Sequence, residues 1–271
     1  MRASTASARA QRMQHEQYSQ EEGARLVEPD AALTCNILKV VNASSFGLGQ
    51  PVHSVARAVS FLGDKLVMGI ALASCAPHVF NHALAGYEGK AGQLWEHCLA
   101  TAIASREFAR LMSPPVPPGL AFTAGIVHDI GKAVLSDYLE GRSERLLDKL
   151  DAQESEDFAL AEAQVLGADH ARLGGLMARR WNLPEPLVQA IAYHHCPDRA
   201  APPWHPLCCA VQLGDALAMC LGADTGCDAL QYGLDDLTCL TPDLTPAVMD
   251  SLVFTVHREF QKTRTLFFGE S

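Results

Sequence analysis

The stretch "AGIVHDIGK" (124–132) sets a histidine beside an aspartate, with a lysine three residues on, inside a run that otherwise reads as buried helix. Phe122, Gly125 and Ile126 are apolar or small. A carboxylate in such a place is costly unless something pairs with it. The spacing of Phe122 and Ile126 puts Asp129 on the inner face of that helix. Lys132 can serve as counter-ion to one carboxylate, but not to a second.

Other segments turn the same kinds of side chain inward. In "LWEHCLATAIASREF" (94–108), Leu94, His97, Thr101, Ala104 and Phe108 share a face at spacings of three and four. In "DHARLGGLMARRW" (169–181), Asp169 is placed to cap a helix that opens on His170, above Leu173, Gly174 and Met177. In "PEPLVQAIAYHH" (184–195), Pro184 suits a first helical position, and the apolar face of Leu187, Val188 and Ile191 runs into His194 and His195. In "LCCAVQLGDALAMC" (207–220), Asp215 shares a face with Val211 and Met219.

Five histidines (His97, His128, His170, His194, His195) and two aspartates (Asp129, Asp215) therefore point inward on five helices. Each histidine alone has the plain reading of a hydrogen-bonded core residue. The aspartates need pairing, and a metal site satisfies all seven at once. Imidazole and carboxylate suit divalent iron or manganese best, with zinc also feasible. Neighbours in sequence diverge by about 100° around a helix. His128 with Asp129, and His194 with His195, thus suit two ions with Asp129 as bridge better than one. Two divalent ions against two aspartates leave a positive excess suited to a phosphate. The other six histidines (His15, His53, His78, His82, His205, His257) read as surface or satisfied core.

The chain has 271 residues, 48% hydrophobic and 19% charged, enough to build a sizeable core. Its formal net charge of -10 argues against nucleic acid as a partner. No apolar run reaches the length needed to span a bilayer, and no apolar stretch follows the basic N-terminus as a secretory signal requires. Nine cysteines without a CxxC pair predict reduced thiols in a cytoplasmic protein.

Apolar spacing along the chain is helical, and no run alternates as a strand does. The expected fold is all-α, a bundle of a dozen or so helices. Residues 1–17 read as frayed and 18–112 as an N-terminal helical subdomain, in which Ser19 with Glu22 forms a capping box. The stiff linker "SPPVPPG" (113–119) opens the metal-site core, 113–222, with one continuous helix predicted over 120–139. The charged stretch 141–167 reads as two exposed helices, and 223–271 as a helical extension capping the domain.

This pattern of His…His-Asp…His…His-His…Asp on helices resembles the HD superfamily of metal-dependent phosphohydrolases. It is most similar to the HDOD (HD-related output domain) branch, through "EPDAALTCNILKVVNASSFG" (28–47), "LWEHCLATA" (94–102), "AGIVHDIGKAVL" (124–135), "GADHARLGGLMARRWNLPEPLVQAIAYHH" (167–195) and "AVQLGDALA" (210–218). The resemblance covers roughly 18–222. It implies an HD-type helical bundle with His97, His128, Asp129, His170, His194, His195 and Asp215 as metal ligands. It also implies that Lys132 contacts a phosphate oxygen or the metal's water. The related HD-GYP branch hydrolyses cyclic dinucleotides and carries a glutamate after the His-His pair, then a Gly-Tyr-Pro loop. Here Cys196 follows His195 and that loop is missing, and Gln93 stands where a glutamate is expected. The resemblance therefore implies a signal-transduction module that keeps a metal site, its partner a signalling protein or a nucleotide-like phosphate. The second reading is a metal-dependent phosphohydrolase of nucleotides or cyclic dinucleotides, with Asp129 and Lys132 catalytic.

Overall fold

The computed structural model describes residues 82–155, 157–233, 240–241 and 243–268. The helices expected before residue 82, the Ser19–Glu22 capping box, and His15, His53 and His78 lie outside them. Among the described residues the fold is all-α, with no strand beyond an isolated bridge between Leu84 and Gly89. Nine α-helices run in order through the described residues: α1 Gln93–Ala109, α2 Pro118–Val127, α3 Lys132–Leu139, α4 Ser143–Asp151, α5 Phe158–Leu166, α6 His170–Arg180, α7 Glu185–Tyr193, α8 His205–Cys220 and α9 Pro246–Phe268. None is long and apolar enough to cross a membrane.

The bundle is organised on α1, against which α8, α2 and α9 pack. Fourteen of its seventeen residues are buried, so the inward stripe predicted from Leu94 to Phe108 belongs to a helix enclosed on most sides. His97 is thus placed by which neighbour it faces, not by a hydrophobic stripe. Close packing needs small residues at the crossings. A Cβ on Gly214 of α8 would meet the Ser105 amide of α1 at 2.7 Å, so glycine lets the backbones touch one residue before Asp215.

Three expectations are corrected. The predicted helix over 120–139 is two helices, broken at His128–Gly131. There the bonding tightens to three-residue turns, Ile130 N–H to Val127 O at 3.3 Å and Lys132 N–H to Asp129 O at 3.0 Å. Gly131 lies directly on α6, where a Cβ would run into the His170 carbonyl. Second, α5 is not an exposed helix. Phe158, Ala161 and Glu162 are buried at helical spacing. Third, Pro184 is the N-cap of α7 and not its first residue. Asp169 does cap α6, its carboxylate accepting from Arg172 N–H at 2.6 Å.

Gly131→Ala forces a methyl group into backbone that cannot move aside. It is expected to cost about 1–3 kcal/mol, read as a lowered melting temperature in calorimetry.

Candidate metal centre

The helix ends around Asp129 are closed by histidines. The His128 imidazole folds back so that Nδ1–H donates to Gly125 O at 2.8 Å, and His194 Nδ1–H does the same to Ile191 O at 2.9 Å. Each bond satisfies a carbonyl that the last turn of its helix leaves without a partner. His97 Nδ1–H donates to Ala223 O at 2.8 Å, and His170 Nδ1–H to Glu162 Oε2 at 2.7 Å. With Nδ1 protonated in all four, the lone pair of each ring sits on Nε2.

Those Nε2 atoms converge on Asp129. Its Oδ2 is 3.3 Å from His97 Nε2 and 3.4 Å from His128 Nε2. Its Oδ1 is 3.4 Å from His170 Nε2 and 3.5 Å from His194 Nε2. Asp215 Oδ1 joins the first group, 3.1 Å from His97 Nε2 and 3.7 Å from His128 Nε2. His195 joins the second, its Nε2 2.9 Å from that of His170. Two groups of metal-ligand type thus share one carboxylate: His97, His128 and Asp129, and Asp129, His170, His194 and His195. The adjacent pairs, expected to diverge, reach the same cluster because both lie just past a helix end.

The electrostatics call for a cation. Both oxygens of Asp129, Asp215 Oδ1 and His194 Nε2 accept no hydrogen bond, although all are buried. Leaving such atoms unpaired is costly. Lys132 Nζ lies 2.7 Å from Asp129 Oδ2 as an ion pair. Burial pushes the Asp129 carboxyl up, but its neighbours His128 and Lys132 outweigh it and hold it well below the usual range. Asp215 is held down likewise, against burial, by His128 and His97. Burial, reinforced by their neighbouring imidazoles, keeps His195 well below and His194 below the ordinary imidazole value, so both are neutral donors. Burial lowers His97, yet the two aspartates raise it to about 10, so a proton substitutes there when no metal is bound. Neutral imidazoles and ionised carboxylates in a dry cluster are the donor states a divalent ion takes. The residues present fit such an ion.

All seven residues singled out from the sequence are brought together here, six at 3% exposure or less and His195 at 9%. Lys132 does not face an open cleft. Its Nζ is enclosed by Asp129, Asp228 Oδ2 at 2.6 Å and Thr225 Oγ1 at 3.0 Å. Sequence reasoning missed Glu162, which accepts from the His170 backbone N–H at 2.8 Å and from Tyr87 OH at 2.5 Å. The signal was present, since Phe158, Ala161 and Glu162 share a face, but the charged surroundings obscured it. It also missed Thr225, Asp228 and Tyr232, which nothing in local periodicity marks. Of the remaining histidines, His82 and His257 are exposed and His205 is half-buried, as expected.

The HDOD domain family model matches residues 3–197. Among solved structures, an HDOD domain protein of unknown function from Geobacter sulfurreducens is 19% identical with a TM-score of 0.71, covering 98% of this chain and 92% of its own. A candidate phosphohydrolase from Shewanella amazonensis is 20% identical with a TM-score of 0.69, covering 97% and 93%. A candidate signal transduction protein from Marinobacter aquaeolei is 23% identical with a TM-score of 0.65, covering 97% of this chain and 56% of its own. These likenesses show the fold. An uncharacterized protein of Treponema pallidum is 24% identical over 202 residues, which is 74% of this chain but only 38% of that relative's length. Asp215 and residues 223–233 lie beyond the family match.

Glu162→Gln keeps the side chain's shape and removes the charge that orients His170. Metal affinity is expected to fall about 10–100-fold, measured by chelator competition.

Proposed function

This chain belongs to the HDOD domain family, and we propose that it is a signal-transduction module built around a retained HD-type centre that binds two divalent ions. His97, His128, Asp129 and Asp215 would hold one ion. Asp129, His170, His194 and His195 would hold the other, with Asp129 as the bridge. Iron or manganese suits these nitrogen and oxygen donors, and zinc is the alternative. Such ions, when bound, supply Lewis acidity toward a phosphoryl oxygen.

The observation that carries the regulatory reading is the state of Lys132. In the hydrolytic arrangement its ammonium would meet the substrate phosphate. Here that ammonium is completely buried and already shared among Asp129, Asp228 and Thr225. A substrate cannot use donors that the protein's own side chains consume. The partner of such a module is a cytoplasmic signalling protein or a nucleotide-like phosphate.

One observation favours the second reading, a metal-dependent phosphohydrolase of a nucleotide or cyclic dinucleotide: the donor set is complete. Elemental analysis of protein purified without chelators is expected to find about one to two transition-metal ions per chain, and EDTA to lower the melting temperature, since a ligand held only by the folded state stabilises it. Nucleotides and cyclic dinucleotides are expected to remain intact in its presence. Turnover that His128→Ala and Asp129→Ala abolish would replace the module with the enzyme. Protein free of transition metal would overturn both readings.

A further inference from the structure

The segment from Ala223 to Gly233, which follows α8, touches the centre at three points. The Ala223 carbonyl orients His97 at 2.8 Å. The Asp228 carboxylate meets Lys132 Nζ at 2.6 Å, Tyr232 OH at 2.7 Å and the Thr225 hydroxyl at 2.8 Å. The Tyr232 ring stacks on His195 with centroids 4.0 Å apart and planes 9° from parallel, covering the most exposed ligand.

Asp228 therefore sits where an anionic oxygen would sit. An ammonium, a phenol and a hydroxyl converge on a single, fully buried carboxylate. Of these partners, Lys132 also contacts Asp129, so the carboxylate is held against the metal ligands themselves. The segment is fastened at its start and end. Gln93 Nε2 donates to Asp224 Oδ1 at 2.7 Å, Cys227 N–H to Tyr87 O at 2.7 Å, and Phe158 N–H to Gln231 O at 2.8 Å. Between these bonds, Leu230 has a φ of 58° and is 62% exposed. A leucine in the left-handed region costs about 1–2 kcal/mol and gains nothing from burial there.

We propose that residues 223–233 form an internal latch, in which the Asp228 carboxylate, braced by Thr225 and Tyr232 of the same segment, occupies the anion position on the Lys132 ammonium, and that a phosphate-bearing ligand acts by displacing it. Withdrawal of Asp228 takes Tyr232 with it, because the two are hydrogen-bonded and four residues apart. One displacement thus frees the Lys132 ammonium and uncovers His195. The proposal rests on the preceding reading in taking Lys132 as part of an anion-facing metal centre.

The test measures binding of inorganic phosphate to the full chain by calorimetry, with metal content matched between samples. Asp228→Ala is expected to bind phosphate at least about tenfold tighter than the wild type, because it removes a competing charge at hydrogen-bond distance. Lys132→Met added to Asp228→Ala is expected to abolish that gain. Tyr232→Phe, which removes one hydroxyl and keeps the ring, is expected to give a smaller gain and carries the test if Asp228→Ala does not fold. In the wild type, saturating phosphate is expected to speed hydrogen exchange across 223–233. Phosphate affinity unchanged in both single variants would overturn the latch. A gain that survives Lys132→Met would also overturn it. Absence of metal from the wild type overturns the metal-centre reading alone, since the phosphate gain is scored against the Lys132 double variant and requires no metal.

Discussion

Everything in this structure is arranged around lone pairs that face one another. Asp129 and Asp215 are ionised, and the Nδ1–H groups of His97, His128, His170 and His194 donate away from the centre, which turns their Nε2 atoms toward it. Packed at 3.1–3.7 Å in a dry interior, such atoms repel unless a cation sits among them. Lys132 supplies one charge, but three aspartates surround the site. The excess suits the cluster to a cation.

The bundle meets this constraint by using its helix ends. Four of the seven donors lie just beyond the last residue of a helix, at His128 and Asp129 after α2 and at His194 and His195 after α7. An imidazole there closes its own helix and offers its second nitrogen to the centre. His97 and Asp215 come instead from helix interiors, and they meet because α1 and α8 pack almost backbone to backbone at Gly214 and Ser105. His170 opens α6 and is held by Glu162 from the helix before it. Rigid elements and outer hydrogen bonds thus fix the orientation of these side chains.

The segment after α8 gives the centre its second property. The same segment that orients His97 through Ala223 also occupies Lys132 through Asp228 and covers His195 through Tyr232. Local openings in proteins begin where few apolar contacts and strained backbone coincide. Leu230 combines exposure with a positive φ in this segment.

The sequence by itself determined the helical class, the helices from 93 onward to within a few residues, and the seven inward-facing histidines and aspartates that the fold gathers. Helical spacing reports burial, and buried histidines and aspartates demand a common explanation. It did not determine where the 120–139 helix breaks, because the break answers to contact between Gly131 and α6, forty residues further on. It left Glu162 on a surface and residues 223–271 as a cap. Only tertiary structure decided that Glu162 holds His170 and that Asp228, ninety-six residues from Lys132, neutralises it. Periodicity sees one face of one helix at a time. A buried charge is satisfied by whatever the fold brings to it, and for Lys132 that partner comes from an irregular segment with no period to read.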